Sequence, residues 1–397
     1  MLAKVIVRNM KFIFNLGRQS EISLAELYSL FDQQNLSLVG NKFALLESDD
    51  TPNNFDSIGG SYKVSMDPKI IELKDWSKIS DIISEYIKSY KDLSKKITFG
   101  LSVYNKEINI KEIHKIGFKI KKQLLKDISS CRYVENRDKE LNSAQIINNK
   151  LVKSNNIEVN IIINKDTIWL TRTIFIQNIT RYSARDFNRP YRDSRNGMLP
   201  PKLAQILVNI ATEGKNMTVL DPFCGTGVVL QEALLMDNNV IGSDFNPKMV
   251  DYSKQNIKWL KSRFKIKNDL QTEFLTADAV KTKWPNFDTI ATETSLGAPL
   301  TKIPDQITFN KMFKDTNDLI ESFLKNLSTQ LIPGKRICIA IPAWRLPDNT
   351  IRSLSVIDHL NNLGYNLIEF KGLKSQELIY LRPNQVVGRQ LLALTRK

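Results

Sequence analysis

Residues 221–227 read Asp-Pro-Phe-Cys-Gly-Thr-Gly and stand between an apolar run and an amphipathic one. Residues 217–220 predict a strand, while Val228, Val229, Leu230, Ala233 and Leu234 give the following segment one apolar face at helical spacing. A strand that passes into a helix through two glycines is a ligand-binding turn. Gly225 and Gly227 let the backbone approach a bound group where a side chain would block it. The first N–H groups of the helix then face that group and favour an anionic part of it. The first expectation is therefore an enzyme with a nucleotide-type cofactor.

The residues discriminate among such cofactors. A phosphate loop ends in Gly-Lys-Ser/Thr, whereas Gly227 is followed by two valines, and a dinucleotide fingerprint needs a glycine where Leu230 stands. Asp221 suits a ligand with an amino group beside a carboxylate, as in the methionine half of S-adenosylmethionine. Residues 239–243 predict a second strand ending at Asp244, 23 residues after Asp221. An acid about 20 residues past a glycine turn is placed to accept hydrogen bonds from ribose hydroxyls. Residues 274–279 predict a third strand ending in an acid, Asp278, which suits the adenine amine. As the alternative for Asp244 and Asp278, acids at strand ends also cap helices and form turns.

Residues 221–227, 241–246 and 277–279 resemble the cofactor motifs of class I S-adenosylmethionine-dependent methyltransferases, and the wording of the first is similar to enzymes that methylate exocyclic amines of nucleic-acid bases. The resemblance implies that Asp221, Phe223, Cys224, Gly225, Gly227, Asp244, Phe245, Asp278 and Ala279 hold S-adenosylmethionine.

With 397 residues the chain is long for one core and predicts two or three domains. A formal charge of +15 is consistent with a polyanionic partner, although solvated lysines account for part of it. Three cysteines and two histidines lack metal-ligand spacing, so neither a metal site nor a disulfide framework is expected. No apolar stretch approaches the ~20 residues that span a bilayer, and a cytoplasmic protein free of membrane is expected.

Near the N-terminus, a strand over 11–16 leads to Ser23-Leu24-Ala25-Glu26, a capping-box pattern before an amphipathic helix. Strands are expected over 42–46 and 60–64 and a helix over 76–90; then a strand over 97–104, a helix over 111–128, and strands over 131–134, 157–163 and 167–176. Residues 16–18, 23–27, 58–60 and 181–190 resemble the N-terminal ferredoxin-like and THUMP domains of Trm11-type tRNA guanine-N2 methyltransferases. That resemblance covers nearly the whole chain. It implies a ferredoxin-like domain over 1–95, a THUMP-like RNA-binding domain over 96–180, a basic linker over 181–197 and a methyltransferase domain over 198–397, with tRNA and a small activating subunit as partners. In the linker Arg181, Arg185, Arg189, Arg192 and Arg195 interleave with Tyr and Phe, which suits phosphate contacts and base stacking on RNA. An exposed linker whose arginines pair with nearby carboxylates is the alternative.

The fourth core strand, 287–292, ends at Glu293-Thr294-Ser295-Leu296-Gly297. Amine methyltransferases of this type end that strand in Asp or Asn, two prolines and an aromatic ring. The base amine's lone pair is delocalised, so acceptors must hold its hydrogens while the nitrogen attacks. Here Glu293 keeps the acid, Thr294 and Ser295 replace the prolines, and Leu296 replaces the ring, with Trp344 and Tyr380 as candidate substitutes. The expected fold is α/β: a mostly parallel Rossmann-like sheet closed by an antiparallel hairpin with its turn at 382–385 and its final strand over 386–394, behind an α+β N-terminal module. The expected activity is guanine-N2 methylation of tRNA, with Glu293, Thr294, Ser295 and Leu296 as the catalytic segment. A catalytically silent RNA-binding protein and a DNA amine methyltransferase are the alternatives.

Overall fold

A computed structural model describes residues 10–52, 54–193, 198–214, 216–297 and 300–397. They divide into two compact units, the first made of the described residues of 10–17, 34–56 and 61–179 and the second of those of 18–33, 57–60 and 180–397. In chain order the N-terminal half forms β1 (Met10–Leu16), α1 (Ser20–Leu30), β2 (Leu36–Val39), β3 (Phe43–Ser48), β4 (Ser61–Glu72), α2 (Ile79–Tyr90), β5 (Ile97–Tyr104), α3 (Ile110–Leu124), β6 (Cys131–Val134), α4 (Ser143–Asn148), β7 (Ile157–Asn164) and β8 (Thr167–Ile176).

The eight strands of the first unit form one sheet in the order β2-β3-β1-β4-β8-β7-β5-β6. Pairing of β4 with β8 joins the strands before residue 95 to those after it. On α2, Ile79, Ile83 and Ile87, and on α3, Ile113, Ile116, Ile120 and Leu124, recur at three- and four-residue spacing and are buried with Phe99, Leu101, Val159 and Ile161 of the sheet. A polar group sits within this sheet. Lys63 of β4 and Glu158 of β7 are paired at 2.7 Å with their side chains 1% and 0% exposed. Ser102 and Thr173 donate to the two carboxylate oxygens of Glu158 at 2.6 and 2.5 Å, and Lys63 donates to the Tyr104 hydroxyl at 2.9 Å.

The C-terminal half continues with α5 (Ile179–Phe187), α6 (Pro201–Ala211), β9 (Thr218–Asp221), α7 (Val228–Leu235), β10 (Asn239–Asp244), α8 (Pro247–Arg263), β11 (Thr272–Thr276), β12 (Thr289–Glu293), α9 (Gln306–Ser328), β13 (Arg336–Arg345), β14 (Ile351–Arg352), β15 (Tyr365–Leu367), β16 (Ile379–Tyr380) and β17 (Val387–Arg396). The sheet order is β11-β10-β9-β12-β13-β17-β15. The run from β11 to β13 is parallel, and β17 lies antiparallel between β13 and β15 with β16 also against it. The Gln385 N–H donates to the Arg382 carbonyl in the turn between β16 and β17, so the closing antiparallel hairpin forms where expected. Because β9 pairs with β10 on one side and β12 on the other, the chain reverses direction across the sheet at β9, and a crevice opens at those strand ends.

Two expectations are corrected. Ser23 and Glu26 lie inside α1 rather than at its start, and the N-cap, Gln19, makes no side-chain capping bond. Glu26 instead accepts from the Gly59 N–H at 2.8 Å, the Gly60 N–H at 2.7 Å and Asn209 Nδ2 at 2.6 Å, fastening α1 and residues 57–60 to α6. Burial pushes its carboxyl up to about 7 against these donors. Both glycines are required by space: a Cβ on Gly59 would strike the Lys202 carbonyl, and one on Gly60 would lie 2.7 Å from the Ser23 Cα. The first part of the basic linker, residues 181–187, is likewise helical and belongs to α5. Its Arg185 is 5% exposed and donates from Nε to Glu232 of α7 at 2.6 Å, and Arg189 is 3% exposed. Arg185 and Arg189 are therefore packing residues and cannot reach RNA phosphates, whereas Arg181 and Arg192 are exposed. Arg195 lies outside the described residues.

Removing one member of a fully buried ion pair leaves an uncompensated charge, which costs about 3–5 kcal/mol. Urea unfolding of the full chain should show a loss of about this size for Lys63→Met, and a smaller loss for Lys63→Met/Glu158→Leu, in which neither charge remains.

Candidate active site

β9 delivers Asp221 to the crevice, and the backbone then turns through Gly225 (φ +51°) and Gly227 (φ +79°) into α7. Both glycines occupy the left-handed region, and a Cβ on Gly227 would also collide with Ser253 of α8. The turn is held from beneath. The Cys224 N–H donates to the Ser243 carbonyl at 2.7 Å, and Asn256 Nδ2 donates to the Thr226 carbonyl at 2.9 Å. Asn256 also exchanges two hydrogen bonds with the Tyr191 backbone, and Tyr191 stacks on Tyr252 at 4.3 Å.

A cleft of about 800 Å³ opens above this turn, within the range of small-molecule sites. Asp221, Phe223, Cys224 and Gly225 line it together with Asp244, Phe245, Asp278, Ala279, Glu293, Thr294, Ser295 and Leu296. The structure thus brings the cofactor and catalytic candidates together, although they span four strand ends. Gly227 acts below the cleft through its conformation. Cys224 is buried with its thiol pushed well up by burial, which makes it a packing group rather than a nucleophile.

Each acid has a distinct setting. Asp221 is 2% exposed and accepts from the Thr292 hydroxyl at 2.6 Å and the Phe223 N–H at 3.2 Å; burial, with Asp244 and Glu293 nearby, pushes its carboxyl up to about 7. Asp244 accepts from the Gly225 N–H at 3.0 Å and the Asn246 N–H at 2.9 Å, and burial raises its carboxyl. It therefore shapes the glycine turn as well as facing the cleft. Asp278 accepts from the Val280 N–H at 3.1 Å and stands 3.7 Å from Lys281. Glu293 is raised by burial and held back by Arg389 of β17, whose Nε donates to its Oε1. The ring of Phe245 is 78% exposed at the mouth.

Residues beyond the expected set also contribute. Asp193, Met198, Leu199, Asn246 and Met249 line the cleft, and Asn256 and Thr292 brace it. Helical spacing from Asn246 through α8 places Asn256 on the face toward the turn; Asp193 and Arg389 carry no local signal. Among the described lining residues are five carboxylates, at 193, 221, 244, 278 and 293, and no lysine, arginine or histidine. Such a cavity favours a cationic ligand and disfavours a phosphate. A sulfonium–ammonium ligand with a ribose and an adenine fits this donor set. Trp344 is 1% exposed and packs edge-on against Phe309, so it is a core residue and no substitute for the missing stacking ring. Among the described residues no group of His, Cys, Asp or Glu is arranged to hold a metal, and no helix is long and apolar enough to cross a membrane.

Comparison with known proteins agrees with this geometry. Residues 189–356 match the model of the RMKL-like methyltransferase domain, and residues 61–255 match that of a DNA methylase. The chain is 28% identical over 180 residues to a tRNA (guanine(10)-N2)-dimethyltransferase of Methanothermobacter thermautotrophicus, covering 45% of this chain and 48% of that one. It is 29% identical over 205 residues to the protein of the same name from Methanocaldococcus jannaschii, covering 50% and 53%. These two alignments span about half the length of those relatives. The fold is similar to that of TrmN from Thermus thermophilus, with a TM-score of 0.54 at 14% identity over 98% of this chain and 100% of that one. SMU.472 complexed with SAH gives 0.50 at 12% identity over 98% and 99%.

Gly227→Ala combines an unfavourable backbone angle with the Ser253 collision. It should destabilise the chain by about 1–3 kcal/mol in thermal unfolding, and Gly227→Ala/Ser253→Gly should recover the part due to the collision but not the part due to φ. The sheet order and the strand-end cleft agree with the match of residues 189–356 to the RMKL-like methyltransferase domain and with the fold of TrmN.

Proposed function

We propose that the chain is an S-adenosylmethionine-dependent methyltransferase that modifies the N2 amine of a guanine in tRNA, acting in the cytoplasm. The observation that carries this reading is the cleft at the ends of β9, β10 and β12, with five carboxylates and no cationic side chain among its described lining residues. The names of the archaeal relatives support guanine in tRNA as the substrate.

When bound, the donor supplies a methyl group on a positively charged sulfur, which the amine nitrogen takes as the carbon–sulfur bond electrons return to sulfur. The protein's part is alignment and electrostatics. Asp221 sets the charge at the cationic end. Asp244 accepts from the ribose hydroxyls while keeping Gly225 in place, and Phe245 and Asp278 hold the adenine. Glu293 accepts a hydrogen of the target amine, orienting the nitrogen lone pair, and the amine proton leaves through it to solvent. Thr294, with its N–H on the Ala340 carbonyl at 3.0 Å, continues the strand so that Ser295 and Leu296 border the base. The acidic lining repels phosphate, so the RNA backbone stays outside and the base alone enters, turned out of its stack. We assign RNA binding to the ferredoxin-like segment 1–95 and the THUMP-like segment 96–180, with Arg181 and Arg192 at the exposed face of residues 181–193.

Transfer of labelled methyl to unmodified tRNA, lost in Glu293→Ala with cofactor binding retained, is the expected result. Tight cofactor binding without transfer to any nucleic acid would sink the enzyme reading and leave an RNA-binding protein. The match to a DNA methylase model favours a second reading, methylation of a DNA amine. Competition between tRNA and duplex DNA at fixed salt decides between them, because nonspecific binding by a basic protein depends strongly on salt.

Asp221 also imposes a pH dependence. Its carboxyl is held at about 7, so it is largely neutral below that pH and ionised above it, and only the ionised form attracts a cation. Cofactor affinity measured by calorimetry should rise roughly tenfold between pH 6 and 8, with proton release on binding. Asp221→Asn should bind more weakly and lose this rise.

A further inference from the structure

Glu293 is the one acid of the altered reactive segment, and it shares its cavity with four others. Asp221 on β9 and Asp244 on β10, with Asp193 and Asp278, line the same space. A carboxylate largely withdrawn from water tends to take up a proton, and burial raises that of Glu293. A protonated carboxyl offers an O–H in place of a lone pair, and an amine hydrogen then meets a donor rather than an acceptor. The guanidinium of Arg389 stands against this tendency. Its side chain is 4% exposed, against 16% for Glu293, and its Nε donates to Glu293 Oε1. Arg389 comes from β17, where it lies opposite Pro342 of β13, and it is not among the residues that line the cleft. It therefore touches the carboxylate from behind without touching what the cleft contains. Arginine keeps its charge when buried, and its planar fork fixes the carboxylate's orientation as well as its ionisation.

We propose that Arg389 is a positioning residue for methyl transfer: it keeps Glu293 ionised and occupies Oε1, so that Oε2 is the oxygen presented to the target amine. The cleft then selects a substrate edge that donates hydrogens and rejects one that offers only acceptors. This rests on the methyl-transfer reading above, so the test includes a readout that needs no activity.

In the full-length protein, the infrared band of the protonated Glu293 carboxyl, assigned by its loss in Glu293→Gln, is followed against pH. Arg389→Met should shift the titration midpoint upward by at least one pH unit, a tenfold tighter hold on the proton, and Arg389→Lys should stay near the wild type. Arg389→Gln removes the charge while keeping a hydrogen-bond donor, and it serves if the Met variant fails to fold. In methyl transfer to unmodified tRNA, the acid limb of the kcat profile should move to higher pH in Arg389→Met or Arg389→Gln, with KM for tRNA changed less than twofold. A merely structural role would lower kcat without moving the limb. An unshifted carboxyl band in a folded, charge-neutral variant overturns the proposal. A shifted band with no transfer to any nucleic acid by the wild type overturns the methyl-transfer reading, and with it Arg389's part in catalysis, while its hold on Glu293 stands.

Discussion

The pairing of β9 with β10 on one side and β12 on the other is the constraint on which the rest of this site depends. Parallel strands that leave a central strand in opposite directions cannot close the space above their ends, because the following connections depart to opposite sides. Asp221, Asp244 and Glu293 end those three strands, so sheet topology alone gathers three acids that are far apart in the chain. The glycine turn and the brace from Asn256 refine the resulting cavity; they do not create it. A change that slipped the β9–β12 pairing by one residue would turn alternate side chains to the opposite face of the sheet and disperse the acids.

Gathering carboxylates away from water is unfavourable, and the balance is uneven across the site. Asp221, lifted from 3.8 to about 7, faces a penalty on ionisation of order ~4 kcal/mol by the usual conversion. Among the described lining residues no cation offsets it. Glu293 has Arg389, and on the far side of α7 the buried Glu232 has Arg185. These two acids are thus paired with arginines, while Asp221 is held by neutral donors, the Thr292 hydroxyl and the Phe223 N–H. This arrangement trades stability of the empty protein for ligand affinity, since a bound cation returns the missing interaction.

What the sequence disclosed and what it withheld divide by range. The glycine turn, the acids at strand ends, the α2 and α3 stripes and the closing hairpin are all local patterns, visible in a window of a dozen residues. The partners of those residues are not. Glu26 reads as a capping acid because Ser23 stands three residues before it, yet it bonds Gly59, Gly60 and Asn209, 33 to 183 positions away. Arg185 reads as a phosphate contact because aromatic rings flank it, and only folding shows that Glu232 stands 47 residues on to receive it. Arg389 sits in an apolar strand without distinguishing neighbours and meets Glu293 across 96 residues. Long-range pairing of buried charges leaves almost no trace in local composition.

The Glu26 clasp draws the second unit from separate stretches of the chain. Two of its pieces, residues 18–33 and 57–60, are made well before the helix α6 that they hold. On the ribosome α1 must remain without its helical partner α6 until some 170 further residues have emerged, so this half of the protein cannot finish folding as a simple trailing domain. Cutting the chain at residue 180 would separate a core helix from its own core rather than yield an autonomous unit. Evolutionary exchange of the N-terminal module for another would meet the same barrier: the two halves are sewn together by covalent order, whatever else joins them.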